Sequence, residues 1–293
     1  MKKRVFRRWG DDPASLRDLL AARLALSQEA AGELIDRGSV LVGSAPASDP
    51  HQAIAVGAKL TVLLGASVEP PPTVVVHRDQ DVAIVDKPPG LPSQEEPGQR
   101  SYCLAVGVAR DLGDGARLMH RLDKDASGLV VVALRKSAYG PLQRAMAGTA
   151  IERRYLAVAR GSLSGDGAIK KRIGRHPRDQ RLRAAFPEYA TAGEPAVTRY
   201  RTLTHGTLHH EPITAVELQL ETGRTHQIRV HLSSIEHPIV GDVAYGGPAF
   251  DRLCLHAYAV ALPHPRTGKP LRVSVPPPDE LVRLVPGLTS PFT

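Results

Sequence analysis

The feature that most constrains the fold is the segment His120–Leu129, HRLDKDASGL, together with the apolar run Val130–Leu134 that follows it. A stretch rich in Asp, Ser and Gly predicts a loop, and a Leu/Val run of this length predicts a buried strand. We therefore expect the carboxylates of Asp123 and Asp125 on a loop that leads into a rigid strand, where a reactive group is held still. The competing interpretation is that an aspartate in a turn only accepts hydrogen bonds from backbone N–H groups.

The composition is that of a globular protein with an excess of positive charge. Hydrophobic residues make up 42% of the chain, which is enough for an ordinary packed core. The 38 Lys and Arg residues outnumber the 30 Asp and Glu residues, and the net charge of +8 is consistent with a nucleic-acid partner. Because Cys103 and Cys254 lack metal-ligand spacing, we expect free thiols in a reducing compartment.

No feature of the sequence predicts contact with a membrane. The basic start, MKKR, is not followed by an apolar region, and no apolar run is long enough to cross a bilayer. We therefore expect a cytoplasmic protein without a membrane partner.

The N-terminal part predicts a small helix–helix–strand unit. Leucines recur at helical spacing between residues 16 and 26, Ser27 is predicted to cap a second helix, and Gly38 would end it. Strands are predicted at 40–42 and 60–64. With the segments LIDRGSVLV at 34–42 and GAKLTV at 57–62, this unit resembles a divergent S4 RNA-binding domain.

These patterns divide the chain into four segments. Residues 1–13 form a basic lead-in without periodicity, 14–67 the S4-like domain, 68–73 a stiff Pro-rich linker and 74–293 a larger domain. Helices are predicted at 104–112 and 138–147 in the larger domain. Its Pro-rich end, 275–293, is expected to cover the surface and to hold no chemistry.

Two candidate residues lie in or beside predicted strands. Lys87 follows the strand 82–85 and precedes a rigid Pro-Pro-Gly turn, so it either faces a substrate or is an ordinary solvated charge. Tyr155 lies in the strand pattern of 152–161 and could equally be a core aromatic residue.

The segment ETGRTHQIRVHL at 221–232 is predicted to turn the chain and begin a helix. Thr225 could be the N-cap, and the helix start together with Arg224 would make a locally positive site. His226 and His231 are five residues apart, so on a helix they would face different directions and would not share a metal ion.

Between residues 170 and 183 the chain is strongly basic. Glycines and prolines flank this run, which predicts a surface loop or hairpin. A solvated face is the usual meaning of a charge run, but so one-sided a run in a basic chain favours contacts with phosphates. The basic residues are Lys170, Lys171, Arg172, Arg175, Arg178, Arg181 and Arg183, and only Asp179 opposes them.

Taken together, these segments resemble the RluA-type pseudouridine synthases. The segment at 120–129 is similar to the family's active-site motif, and three more segments match in order: VDKPPGL at 85–91, RYLAV at 154–158 and TGRTHQIR at 222–229. The resemblance covers roughly residues 74–280. It implies an α+β fold: a mixed, mainly antiparallel sheet with flanking helices and a central cleft, here preceded by the S4-like domain.

The resemblance also implies a reaction, the isomerisation of uridine to pseudouridine in RNA. Asp123 matches the family's essential aspartate, which acts on the sugar either by covalent attack or by proton removal. Because burial disfavours a charged carboxyl group, a cation must keep it ionised, and the family assigns that role to the arginine matching Arg224. Tyr155 matches the tyrosine that stacks on the uracil, and Ile228 falls in the apolar wall.

The target uridine must leave the RNA stack to reach such a carboxylate. Arg121 matches an arginine associated with this extrusion, and His120, Lys87 and the hairpin arginines Arg175, Arg178 and Arg181 are further candidates for RNA contacts. No redox change or group donor is involved, so no cofactor and no metal are expected.

Two rival functions use the same residues differently. A non-catalytic RNA-binding or ribosome-assembly protein on this fold would not require Asp123, Tyr155 and Arg224 together. A glycoside hydrolase could use Asp123 and Asp125 as a carboxylate pair, but it would leave the basic surface without a role. The expected partner is large-subunit ribosomal RNA, with transfer RNA as the second choice, no DNA, and a monomeric protein.

Overall fold

The computed structural model describes residues 2–24, 26–64, 72–94, 103–148 and 150–289. The chain divides into two compact units, Met1–Val74 with Lys87–Arg117 and Val75–Asp86 with Leu118–Thr293. This division differs from the single boundary predicted at 68–73, and most of that linker lies outside the described residues. In the described part, no helix is both long and apolar enough to span a bilayer.

The N-terminal unit begins with a four-stranded sheet and two helices. Its elements up to residue 64 are β1 (Lys2–Arg7), α1 (Leu16–Leu24), α2 (Gln28–Asp36), β2 (Val40–Val42), β3 (Ala45–Pro46) and β4 (Lys59–Leu64). The sheet order is β1-β4-β2-β3. The predicted helices, the strands at 40–42 and 60–64 and the N-cap are confirmed, because the Ser27 side chain accepts a hydrogen bond from the Ala30 N–H.

The prediction that residues 1–13 form a lead-in without regular structure is wrong for residues 2–7. They form β1, which pairs antiparallel with β4 from Lys2 opposite Leu64 to Arg7 opposite Lys59. Phe6 packs against the core of the two helices. The sequence of this segment shows no hydrophobic period. It becomes a strand because it pairs with β4, more than fifty residues later in the chain.

The remaining elements are the strands of one large sheet and the later helices, of which α3 belongs to the first unit. They are β5 (Val74–Arg78), β6 (Val82–Lys87), α3 (Leu104–Leu112), β7 (Arg117–Leu118), β8 (Ser127–Ala133), α4 (Lys136–Ala147), β9 (Glu152–Arg160), β10 (Asp166–Arg175), β11 (Arg183–Phe186), β12 (Glu194–Leu208), β13 (Glu211–Leu220), α5 (Gln227–Ser233), β14 (Leu255–Pro263), β15 (Pro270–Ser274) and α6 (Asp279–Leu284). The order is β11-β10-β12-β13-β9-β14-β8-β6-β5, with β7 and β15 attached to β8 and β14. The sheet is mainly antiparallel and includes a parallel pair, β8 with β14, as the fold class predicted.

The loop at 120–126 leads into β8, and all seven residues of β8 are buried. Gly128 has φ +111°, and a Cβ at this position would overlap the backbone of Ala257 on β14. Glycine is therefore required where the loop that contains Asp123 joins the sheet. The prediction that this loop leads directly into a buried strand is confirmed.

One further prediction is confirmed and another changes in part. The basic run forms the predicted hairpin, with β10 and β11 paired from Arg172 opposite Phe186 to Arg175 opposite Arg183. The Pro-rich end does more than cover the surface, because it contains α6 and buries Leu281.

Candidate active site

A cavity of about 320 Å³ opens beside the loop that precedes β8. Three segments supply most of its lining: the loop at 120–126, the start of β9, and the turn at 223–229 that leads into α5. All of these residues belong to the second unit. The segments are far apart in sequence, and the strand order brings them together because β9 and β8 both neighbour β14.

At the centre of this cavity, Asp123 faces an arginine that is held from behind. Asp123 Oδ2 lies 3.5 Å from Arg229 Nη1. Asp242 binds the same guanidinium in a bidentate manner, at 2.7 Å to Nε and 2.8 Å to Nη2. The Asp242 side chain is 1% exposed and that of Asp123 is 17% exposed. The arginine is therefore fixed by the buried carboxylate and presents its remaining edge to the accessible one.

Burial disfavours the charge on Arg229, but the carboxylates of Asp242 and Asp123 outweigh it and raise the pKa of Arg229 above its ordinary value. The guanidinium also lies over the ring of Tyr245, 4.8 Å from its centroid. This cation–π contact and the bidentate ion pair leave the arginine little freedom. Asp123 therefore has the permanent cationic neighbour that an ionised carboxylate in a cavity needs.

The prediction that Arg224 is this neighbour is wrong. Arg224 lines the cavity, but its Nη2 lies 3.7 Å from Glu194 and its Nε donates to the carbonyl of Pro195. Its side chain is 43% exposed, whereas that of Arg229 is 11% exposed. Arg224 therefore lies at the accessible side of the cavity.

The turn into α5 explains why Arg224 contacts Glu194 and not Asp123. The predicted N-cap, Thr225, does not cap the helix; His226 precedes it with φ +57°, a left-handed conformation. Gln227 fixes this turn, since its Oε1 accepts from Thr222 Oγ1 and from the Arg224 N–H, and its Nε2 donates to Thr198 Oγ1. The helix starts later than predicted, so Arg229 lies in its first turn and turns inward.

The two histidines of this segment do not meet, as predicted. His226 Nδ1 lies 2.7 Å from the hydroxyl of Tyr245, and burial lowers the pKa of His226. His231 is fully buried with Nδ1 2.8 Å from Thr198 Oγ1, and burial lowers its pKa to about 4. Both are therefore neutral side chains. His226 lines the cavity, whereas His231 packs against Thr198 and is not among the described lining residues.

Tyr155 and Ile228 lie in the cavity lining, as predicted, and each is 5% exposed. Burial raises the pKa of the Tyr155 hydroxyl, and the charges of Arg153 and Asp123 act on it in opposite directions. Tyr155 is therefore a neutral phenol within electrostatic reach of the Asp123 carboxylate. Its ring offers an apolar face on which a planar base can stack.

The other predicted site residues divide into three groups. Arg121 is exposed and lines the cavity. His120 also lines it, but its Nε2 accepts from the Val131 N–H and burial lowers its pKa to about 3, so it carries no charge. Lys87 is fully buried and donates to the carbonyls of Pro88 and Leu91, so the prediction that it faces a substrate is wrong.

The carboxylate pair proposed for a glycoside hydrolase is not formed. Asp125 is exposed and does not line the cavity among the described residues. The second carboxylate near Asp123 is that of Asp242, which is engaged by Arg229 on its far side. Both oxygens of the Asp242 carboxylate accept hydrogen bonds from the Arg229 guanidinium, so this buried carboxylate is not placed to act on a sugar beside Asp123.

Comparison with known proteins gives one consistent result. The sequence profile of the family described as RNA pseudouridylate synthase matches residues 81–234. The chain is 37% identical to "Ribosomal large subunit pseudouridine synthase D" of Vibrio parahaemolyticus, covering 74% of this chain and 71% of that protein. It is 36% identical to the protein of the same description from Escherichia coli, over 75% and 72% of the two chains.

Among solved structures, the fold is similar to "Human RNA Pseudouridylate Synthase Domain Containing 1". The two share 29% identity with a TM-score of 0.62, over 76% of this chain and 91% of the human one.

Proposed function

The chain belongs to the RNA pseudouridylate synthase family, and from this premise we propose that it isomerises uridine to pseudouridine in large-subunit ribosomal RNA. The choice of RNA is supported by the relatives named above. This chain covers more than two thirds of the length of each, and their descriptions name the large ribosomal subunit. The relatives named above carry no transfer RNA description. The catalytic assignment rests on one observation: Asp123 lies in the cavity against Arg229, which the buried Asp242 holds in place.

The chemistry of the site follows from this pairing. A uridine that has left the RNA stack places its base against Tyr155 and its sugar against Asp123. The ionised carboxylate then either attacks C1′ or removes a proton from C2′, and in both routes the C1′–N1 bond breaks. After the uracil turns, a C5–C1′ bond forms as the Asp123–C1′ bond breaks or, in the other route, as Asp123 returns the proton to C2′. C5 then loses its proton and N1 gains one. The base and sugar keep the same atoms, so the reaction requires no co-substrate.

RNA binding is divided between the cavity mouth and the basic hairpin. Arg121 and Arg224 stand at the accessible side of the cavity, where Arg121 can occupy the space that the extruded base leaves. On the hairpin, Arg175 and Arg178 are exposed and their side chains make no hydrogen bond or ion pair within the described residues, whereas Arg181 is paired with Asp179 at 2.8 Å. Arg175 and Arg178 are therefore the hairpin side chains ready for phosphates. We also propose that the S4-like unit adds RNA contacts and that the protein acts as a cytoplasmic monomer.

The test is release of tritium from RNA labelled at uridine C5, with ribosomal and transfer RNA offered separately. Wild type should release tritium from ribosomal RNA, and Asp123→Asn should release none while still binding the RNA. Asp125→Asn is the matched control and should retain activity, because Asp125 lies outside the cavity. Turnover by Asp123→Asn, or release from transfer RNA alone, would contradict the proposal.

A further inference from the structure

Arg153 lines the cavity and takes no part in the ion pairs described above. It lies on β9 two residues before Tyr155, so both side chains project from the same face of the strand. It is partly buried. Its Nε is buried and has no hydrogen-bond partner, and within the described residues its guanidinium forms no ion pair.

The other arginines of the cavity differ from Arg153 in either partner or position. Arg229 is engaged by two carboxylates, and Arg224 is an exposed residue paired with Glu194. Arg121 is exposed at the surface of the loop. Arg153 is thus the recessed cation of the cavity without a counter-charge in the described part of the chain.

The position of the Arg153 guanidinium is fixed by its surroundings. A Cβ on Gly223 would lie 3.2 Å from Arg153 Nη1, so the guanidinium packs against the backbone of the turn that leads to α5. Its charge also reaches two walls of the cavity. It adds to the effect of burial in lowering the pKa of His120, and it opposes the effect of burial on the pKa of Tyr155.

A partly buried cation without a partner is costly, and it is most useful where a negative charge develops during the reaction. When the C1′–N1 bond breaks, its electron pair leaves with the base, and the uracil carries the charge on N1, O2 and O4. We propose that Arg153 is a catalytic residue whose N–H groups donate to a carbonyl oxygen of the departing uracil. The electron pair is returned when C5 bonds to C1′, and no other reactant is needed.

The alternative anion is a phosphate of the RNA backbone. The exposed Arg121 and Arg224 already stand where a backbone would pass, at the accessible side of the cavity. Arg153 instead lies beside Tyr155, on which the base stacks, so the edge of that base is the acceptor within its reach. This inference rests on the proposed function, because it assigns a step of that reaction.

The neighbouring Arg154 provides a matched control. It projects from the opposite face of β9, where its Nε donates to Glu152 at 2.6 Å and its Nη1 to Glu217 at 3.1 Å. Arg153→Gln and Arg154→Gln therefore remove the same charge from adjacent positions, one inside the cavity and one outside it. Arg153→Lys keeps the charge but loses the fork of donors.

The first measurement is the single-turnover rate constant, with enzyme in excess over the ribosomal RNA that wild type modifies. Loss of one donor to a developing charge lowers such rates by about 10²- to 10³-fold, and we expect this for Arg153→Gln with nearly unchanged RNA affinity. Arg153→Lys should fall between Arg153→Gln and wild type. Arg154→Gln should keep the wild-type rate constant, although it can lower the melting temperature.

The second measurement replaces the target uridine by 5-fluorouridine and follows loss of that nucleoside from digested RNA. Fluorine withdraws electrons and stabilises the departing base, so the enzyme depends less on Arg153. The rate loss of Arg153→Gln should therefore be at least about tenfold smaller with 5-fluorouridine than with uridine, a difference of roughly 1.4 kcal/mol in transition-state stabilisation.

An equal rate loss on both substrates, or a loss of affinity without a loss of rate, would overturn the inference and indicate a phosphate contact. A wild-type rate for Arg153→Gln would also overturn it. Failure of wild type to act on any ribosomal RNA would contradict the proposed function instead, so the two failures are distinguishable.

Discussion

Replacement of Arg229 by glutamine tests the central claim that this arginine, and not Arg224, keeps Asp123 ready to react. At 3.5 Å, an ion pair in an environment with an effective dielectric constant of about 20 has an interaction energy of about 5 kcal/mol. The Asp123 side chain is 17% exposed, so water screens part of this energy, and a loss of about 3 to 5 kcal/mol is expected. This energy holds the carboxylate in place. Because misplacing a catalytic group by about 1 Å lowers a rate by about a hundredfold, we expect Arg229→Gln to lower the rate constant by about that factor.

The single variant has a second effect that must be separated from the first. Arg229→Gln leaves the carboxylate of Asp242, which is 1% exposed, buried without its cation. An orphaned buried charge of this kind destabilises a protein by about 3 to 5 kcal/mol. The double variant Arg229→Gln/Asp242→Asn removes both charges and should regain most of that stability. It should remain as slow as the single variant, because Asp123 still lacks its cation.

The assay is the single-turnover rate constant for tritium release, measured beside the free energy of unfolding in urea. Arg224→Gln is the control, because it removes the arginine that the sequence motif suggested. It should weaken RNA binding and change the rate constant for bound RNA far less than Arg229→Gln does. The reasoning is refuted if Arg224→Gln is the slower enzyme, or if the folded double variant turns over at the wild-type rate.

Three further outcomes are expected. Burial lowers the pKa of His231 to about 4 and that of His256 to about 3. Below about pH 6.5 the unfolded state therefore binds protons at these histidines and the folded state does not. At pH 5 the free energy of unfolding should be lower than at pH 7 by about 2 kcal/mol for each histidine. Replacing Arg175 and Arg178 by glutamine should reduce the slope of log binding constant against log salt by about 1.4 to 1.8. Gly128→Ala should lower the free energy of unfolding by about 3 kcal/mol or more, measured in urea, because its Cβ has no space.

Each of these predictions has its own control. Replacing both histidines by glutamine should reduce the difference in stability between pH 5 and pH 7 by about 4 kcal/mol, and the remainder is due to other buried histidines such as His120. An unchanged difference would contradict the assignment. Arg181→Gln should change the salt slope less than the other two substitutions, since Arg181 is already paired with Asp179. Gly57→Ala tests the effect of a positive φ alone, because no atom lies within 4 Å of the added Cβ. A loss as large as that of Gly128→Ala would show that backbone strain, and not the overlap with Ala257, is the cause.

The sequence by itself determined the features that depend on near neighbours. The change from a polar, Gly-containing loop to an unbroken apolar run predicted both the reactive loop and β8. Helical spacing predicted α1 and α4, and Ser27 caps α2 as expected, because hydrogen bonds and side-chain periodicity within one turn are local properties. Asp123, to which we assign the reaction, was also chosen at this level, from the resemblance of its motif to that of the family.

Only the tertiary structure decided which residues meet across long distances in the chain. Arg224 and Arg229 stand in the same motif, and the left-handed turn at His226 together with Asp242 determines that Arg229 reaches Asp123. The sequence did contain one indication that Arg229 is paired. Arg229 lies between the apolar Ile228 and Val230, and a charged residue in an apolar helical run needs a buried partner.

The environment of Lys87 and the strand β1 also depend on partners that only the folded chain supplies. Whether a lysine at the end of a strand is solvated depends on the carbonyls that the next turn brings back to it, and here Pro88 and Leu91 enclose its ammonium group. Residues 2–7 become a strand because β4 supplies the hydrogen bonds. Sequence patterns report the period of a segment, whereas ion pairs, burial of charge and strand pairing depend on partners that only the folded chain brings within reach.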